Sequence, residues 1–191
     1  MRGVGFVGPI SGSGSAALRW EATSAPKLVA LAVGAAAGFV AYPTFLWMTS
    51  VLGLAAGLSP RSLSPPAWDA NAFAIILVLS PVLEELLHRG LVLGAVRRTA
   101  LGAGGAVLVS SASFAVTHGE PWAVLGTFLV GLALGSSRVA GASLPFCMAV
   151  HAGLNAAALS SAWRWAGPWW LLAGVLLWLA GLGVERRSRA R

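Results

Sequence analysis

Residues 72–96 read AFAIILVLSPVLEELLHRGLVLGAV. A helix needs about 20 mainly apolar residues to cross the hydrocarbon core of a bilayer, and this run is long enough. Yet Glu84, Glu85, His88 and Arg89 stand together inside it. The chain is 57% hydrophobic and 10% charged, with only six Asp and Glu, and its mean hydropathy is +0.79. Ionisable groups in a membrane span each cost about 2.5–3.5 kcal/mol or more, so such a cluster points to function.

Working outward, the remaining apolar runs are continuous and do not alternate with polar residues, which argues for helices and against a β-barrel. Pro, Gly and Ser punctuate them at SPRSLSPP (59–66) and HGEP (118–121). The expected helices are 27–58, 68–98, 100–117, 122–138, 143–162 and 168–184. The fold class is therefore all-α, a polytopic transmembrane bundle of about six helices spanning 27–184. The segment 1–26 reads as a flexible tail, its apolar run too short and broken for a signal peptide; 185–191 reads as a basic tail.

Net charge is +7. In a soluble chain that would suggest nucleic acid, but here the cations lie between apolar runs, so no nucleic-acid partner is expected. Arg2, Arg19, Lys27, Arg97, Arg98, Arg138, Arg186, Arg187, Arg189 and Arg191 fall on one side of a six-helix bundle. Only Arg61 and Arg164 fall on the other, so both termini are expected in the cytoplasm. The tryptophans of SAWRWAGPWW (161–170) read as an interfacial belt. A lone Cys147 excludes an internal disulfide and a multi-cysteine metal site, and reads as core packing. Gly126, Gly131 and Gly135 lie on or near one face of the fourth helix, where small residues let helices approach closely.

Helical spacing sorts the polar residues. Glu85 and Arg89 are four apart and can pair; Arg89 cannot lose its proton and needs that anion. Glu84 is left without a counter-charge, the candidate for acid-base work on a water. His88 reads as a packing residue. His118 ends the third run with Phe114 four residues before it, and His151 and Asn155 share a face of the fifth. Three helices can thus aim polar groups at one cavity.

The motifs Glu84-Glu85-x-x-x-Arg89, Phe114-x-x-x-His118 and His151-x-x-x-Asn155, in that order in apolar helices, resemble the signatures of the CPBP family. This is the CAAX protease and bacteriocin-processing (Abi) family of intramembrane proteases. The resemblance covers about 72–159. It implies that Glu84 and His118 activate a water, that His151 and Asn155 stabilise the oxyanion, and that Glu85 and Arg89 support the site. It implies a multi-pass protein of a bacterial inner (plasma) membrane that hydrolyses a peptide bond in a membrane-associated protein or peptide. The alternatives are a sortase-like processing protease of C-terminal anchors, a catalytically silent immunity or interaction protein, and a proton-coupled transporter. A zinc ion on Glu84, His118 and His151 is the metal alternative. Without a His-Glu-x-x-His motif, and with an amide as the helical neighbour of His151, the metal-free glutamate mechanism is preferred.

Overall fold

The computed structural model describes residues 25–58, 70–160 and 169–190. Among them six helices are found and no strand: α1 (Ala25–Ala55), α2 (70–96), α3 (Gly102–Val116), α4 (Pro121–Val139), α5 (Leu144–Leu159) and α6 (Trp169–Arg189). These follow the six expected runs. The N-terminal tail up to residue 24, the SPRSLSPP segment with Arg61, and most of the Trp-rich segment with Arg164 lie outside the described residues.

Helix α2 is continuous but not uniform. Its backbone widens into π-type turns at Ile75–Leu79 and Leu86–Val92. The first has an identifiable cause. Pro81 brings no N–H to the ladder, and the Ser80 N–H reaches back to Ile75 O instead of Ile76 O. The Ile76 carbonyl is thereby left facing a residue that cannot donate to it. Such widened turns concentrate at functional sites, and both flank the Glu84–Glu85 pair.

At the end of α3 the chain turns through His118 and Gly119, whose φ of +74° suits glycine. Extended Glu120 and Pro121 then open α4. Ser143 caps α5 by accepting from the Phe146 N–H at 3.2 Å.

The basic segment 185–191, expected as a separate tail, instead continues α6 to Arg189. Glu185 is buried and accepts from the Ser143 N–H at 3.2 Å; Arg186 Nη2 donates to Ala140 O at 2.6 Å. The free backbone groups of the α4–α5 turn give these charges partners, and a carboxylate suits the positive end of α5.

Helix α1 packs on α5 and α6, α3 packs on α4, and α2 closes against α3 and α5. The α1–α5 contact runs backbone to backbone. A Cβ at Gly38 would collide with Val150 O, and one at Gly153 with Ala35 O. On α4, Gly126 meets Thr49 of α1, while Gly131 and Gly135 meet Ser111 and Val107 of α3. The small-residue face thus serves two neighbours.

The interior holds small and polar side chains: Ala30, Ala37, Thr49, Glu85, Arg89, Ser110 and Ser111 are buried. Phe114, Leu134, Phe146 and Val150 are buried among them, whereas Leu54, Val78, Leu83, Leu91, Val116 and Leu179 are exposed. A water-soluble monomer rarely exposes so much large apolar surface. By length and composition, Lys27–Ala55 and Pro121–Val139 suffice to cross a membrane.

Because no side chain can yield at a backbone collision, Gly38→Ala is expected to destabilise the α1–α5 contact. Overpacking costs roughly 1–3 kcal/mol or more. Thermal unfolding in detergent should show a lowered midpoint, whereas Gly104→Ala, where a Cβ meets open space, should shift it little.

Candidate active site

The site is organised around one ring. Phe114, fully buried on α3, meets the His88, His118 and His151 rings edge-on at centroid distances of 5.4, 5.0 and 5.4 Å. The Arg89 guanidinium lies 4.5 Å from its centroid. Three imidazoles from three parts of the chain and one cation are thus gathered by a single aromatic side chain.

Glu85 and Arg89 form the ion pair that their spacing suggests: Arg89 Nη1 donates to Glu85 Oε1 at 2.9 Å, and both side chains are 0% exposed. Arg89 Nη2 reaches the Gly131 carbonyl at 3.4 Å. Glu85 has a second partner, His151, whose Nδ1 stands 3.0 Å from the same oxygen. With Arg89 holding Glu85 as a carboxylate, the His151 Nδ1 is the donor. Among the described residues Glu85 Oε2 and Arg89 Nε are buried without a hydrogen-bond partner, so the pair depends on its enclosure.

The other nitrogen, His151 Nε2, lies 3.5 Å from Glu84 Oε2. Adjacent carboxylates therefore meet opposite edges of one imidazole. Glu84 differs from its neighbour in keeping 29% of its side chain exposed. Its other oxygen, Oε1, accepts from the Ser80 hydroxyl.

His118 sits half-buried just past α3, with Nδ1 3.1 Å from Phe114 O and 3.3 Å from Thr117 Oγ1. Donation from Nδ1 to that carbonyl leaves Nε2 as the acceptor nitrogen. Asn155 donates from Nδ2 to Ile76 O at 2.9 Å, the carbonyl stranded by Pro81; its second amide hydrogen stays available. His118, His151 and Asn155 line one cavity of about 260 Å³ with apolar walls that include Tyr42, Phe45 and Trp122. A second cavity of about 190 Å³, between α1, α4 and α6 beside Trp178, holds none of these residues.

The six residues singled out by their spacing thus fall in one region, unevenly joined. His151 links Glu84 to Glu85 and Arg89. His118 and Asn155 share the cavity with His151, and among the described residues no hydrogen bond joins Glu84 to His118. His88 is buried, with Nδ1 2.7 Å from Ser113 Oγ, a packed residue. Cys147 lies in the core with Phe146 and Val150. The zinc set Glu84, His118 and His151 does not gather into a metal shell. Among the described residues no three His, Cys, Asp or Glu stand as a ligand group.

Sequence spacing missed three participants. Phe114 is a hub and not only a neighbour of His118. Ser110 ties α3 to α2 by donating to His88 O at 2.8 Å. Ser80 stands four residues before Glu84, a spacing that was readable.

Removing one partner of the buried pair, as in Arg89→Met, leaves an uncompensated charge and is expected to cost about 3–5 kcal/mol. Combining it with Glu85→Leu should recover much of that loss. Unfolding midpoints of the two single variants and the double variant in detergent check this.

No curated protein and no solved structure matches the chain. A family model does: the one described as Type II CAAX prenyl endopeptidase Rce1-like matches residues 66–157. That segment contains α2 to α5 up to residue 157, and with them Glu84, Glu85, Arg89, His118, His151 and Asn155, while Tyr42 and Phe45 of the cavity wall lie outside it. Over residues 66–157 the chain matches the Rce1-like family of CAAX proteases, an integral membrane protease family.

Proposed function

We propose that this chain is an intramembrane endopeptidase in which Glu84 activates a water to cleave a membrane-associated protein or peptide. One observation carries the reading. Of two adjacent carboxylates, Glu85 is enclosed and neutralised by Arg89, whereas Glu84 stays open, with Oε2 3.5 Å from His151 Nε2.

Glu84 takes a proton from a water, and the oxygen attacks the peptide carbonyl carbon. His118, with Nδ1 committed to a backbone carbonyl, offers Nε2 as a second acceptor for that water. As the C–O double bond opens, the oxyanion draws hydrogen bonds from His151 and from the unused amide hydrogen of Asn155. For His151 to donate from Nε2 while Nδ1 donates to Glu85, the ring must be the imidazolium, whose charge the developing oxyanion balances, Glu85 being already paired with Arg89. The C–N bond then breaks, and Glu84 returns the proton to the departing nitrogen.

The outward-facing leucines and valines support a bundle set in lipid. Lys27, Arg97, Arg98, Arg138, Arg186 and Arg187 sit at the start of α1 and the ends of α2, α4 and α6. With the helices alternating in direction, these positions share one side, which supports both termini in the cytoplasm. The cavity beside His151 would receive one large apolar side chain of the substrate next to the cleaved bond.

Native membranes holding wild type, Glu84→Gln or Glu85→Gln test the reading, with protein N- and C-termini read by mass spectrometry. Glu84→Gln is expected to lower cleavage about 10²–10⁴-fold at unchanged abundance. New termini confined to C-terminal anchors would identify the sortase-like variant. No change of termini with folded, abundant protein would overturn the protease and leave a silent interaction partner. Trp122→Ala, which enlarges the cavity, is expected to shift the preferred flanking residue toward bulkier side chains in the same termini.

A further inference from the structure

Five hydroxyls inside these helices share one habit, while Ser110 reaches across to His88 O. Thr49, Ser50, Ser111, Thr127 and Ser137 each donate to the carbonyl four residues back, at 2.6–2.8 Å. Ser80 breaks the habit: its hydroxyl goes forward to Glu84 Oε1. Its own backward partner would be Ile76 O, and that carbonyl already accepts from Asn155 Nδ2 at 2.9 Å. Asn155 thus occupies the place to which the Ser80 hydroxyl would otherwise turn.

We propose that Ser80 is a positioning residue for Glu84, directed to it by Asn155. The hydroxyl holds Oε1, so Oε2 is left as the oxygen that exchanges protons, on the side where His151 Nε2 stands 3.5 Å away. A carboxylate tethered at one oxygen by a donated hydrogen bond cannot rotate out of line. The other charged and titratable groups around it are Glu85, His88 and Arg89 on α2, His151 on α5, and His118 past α3. On α4, Arg138 is committed to Ala142 O. Those groups are common to wild type and the Ser80 variants, so a change on removing the hydroxyl reports Ser80 itself.

The inference rests on the role proposed for Glu84, but its test does not need cleavage. Dicyclohexylcarbodiimide modifies protonated carboxyl groups, and the fraction of Glu84 labelled in native membranes can be followed against pH by mass spectrometry. In Ser80→Ala the labelling midpoint is expected about one pH unit higher than in wild type, the scale of one hydrogen bond to a charged group. Ser80→Thr, which keeps the hydroxyl, should restore it. Asn155→Leu should shift it in the same direction, and adding Ser80→Ala to Asn155→Leu should move it no further. Where cleavage is measured, Ser80→Ala should lower kcat roughly ten-fold with little change in KM, and the acid limb should move with the labelling midpoint.

A Ser80→Ala midpoint superimposed on wild type overturns the proposal, as does a Thr variant that fails to restore it. Full additivity of the two changes overturns the part assigned to Asn155. If wild type cleaves nothing, the protease reading falls, and the labelling curves still decide whether Ser80 holds Glu84.

Discussion

A guanidinium cannot shed its proton, and Arg89 is buried with 1% of its surface left. The surroundings answer that constraint from three sides. Glu85 supplies the anion, the Gly131 carbonyl a further acceptor, and Phe114 an electron-rich face. Each comes from a different helix, so satisfying one cation fixes α2, α3 and α4 against one another. Gly131 reaches Arg89 because α4 runs close to α3, where a Cβ would meet Ser111 at 2.9 Å. His151 then enters through the oxygen of Glu85 that the cation already holds, which brings α5 to the same point.

This arrangement gives chemically identical neighbours different tasks. Glu84 and Glu85 share a backbone turn and one imidazole. What separates them is the hundred-degree rotation between successive helical residues, which turns one inward to Arg89 and leaves the other partly exposed beside His151 Nε2. The π-type turn just after them widens the helix where His88 and Arg89 leave it.

Much of this was legible in the sequence. Continuous apolar runs broken by Pro and Gly located all six helices, because helix length and punctuation are local properties. The spacing of four between Glu85 and Arg89 gave the ion pair for the same reason. Less legible was what depends on two helices meeting. Nothing in His151-x-x-x-Asn155 says that the histidine would join both carboxylates, or that the amide would serve a backbone carbonyl. That carbonyl is free only because Pro81 lies five residues further on, a backbone event without a side-chain signature. The end of α6 was misread since Glu185 and Arg186 look solvated until the turn at 140–143 supplies their partners.

The bare backbone contact of α1 with α5, at Gly38 and Gly153, bears on the order in which the protein can be completed. Helix α1 lies outside the matched segment 66–157, yet it is the wall against which the His151 helix rests. At about 5–20 residues per second, α1 leaves the ribosome several seconds before α5. Through that interval its glycine face lacks the α5 backbone, and the His151 helix, once made, finds there the close approach that its own glycine permits. Assembly of the site is therefore a late, long-range event: α1 must wait as a template for α5, and the surroundings of His151 are complete only after that docking.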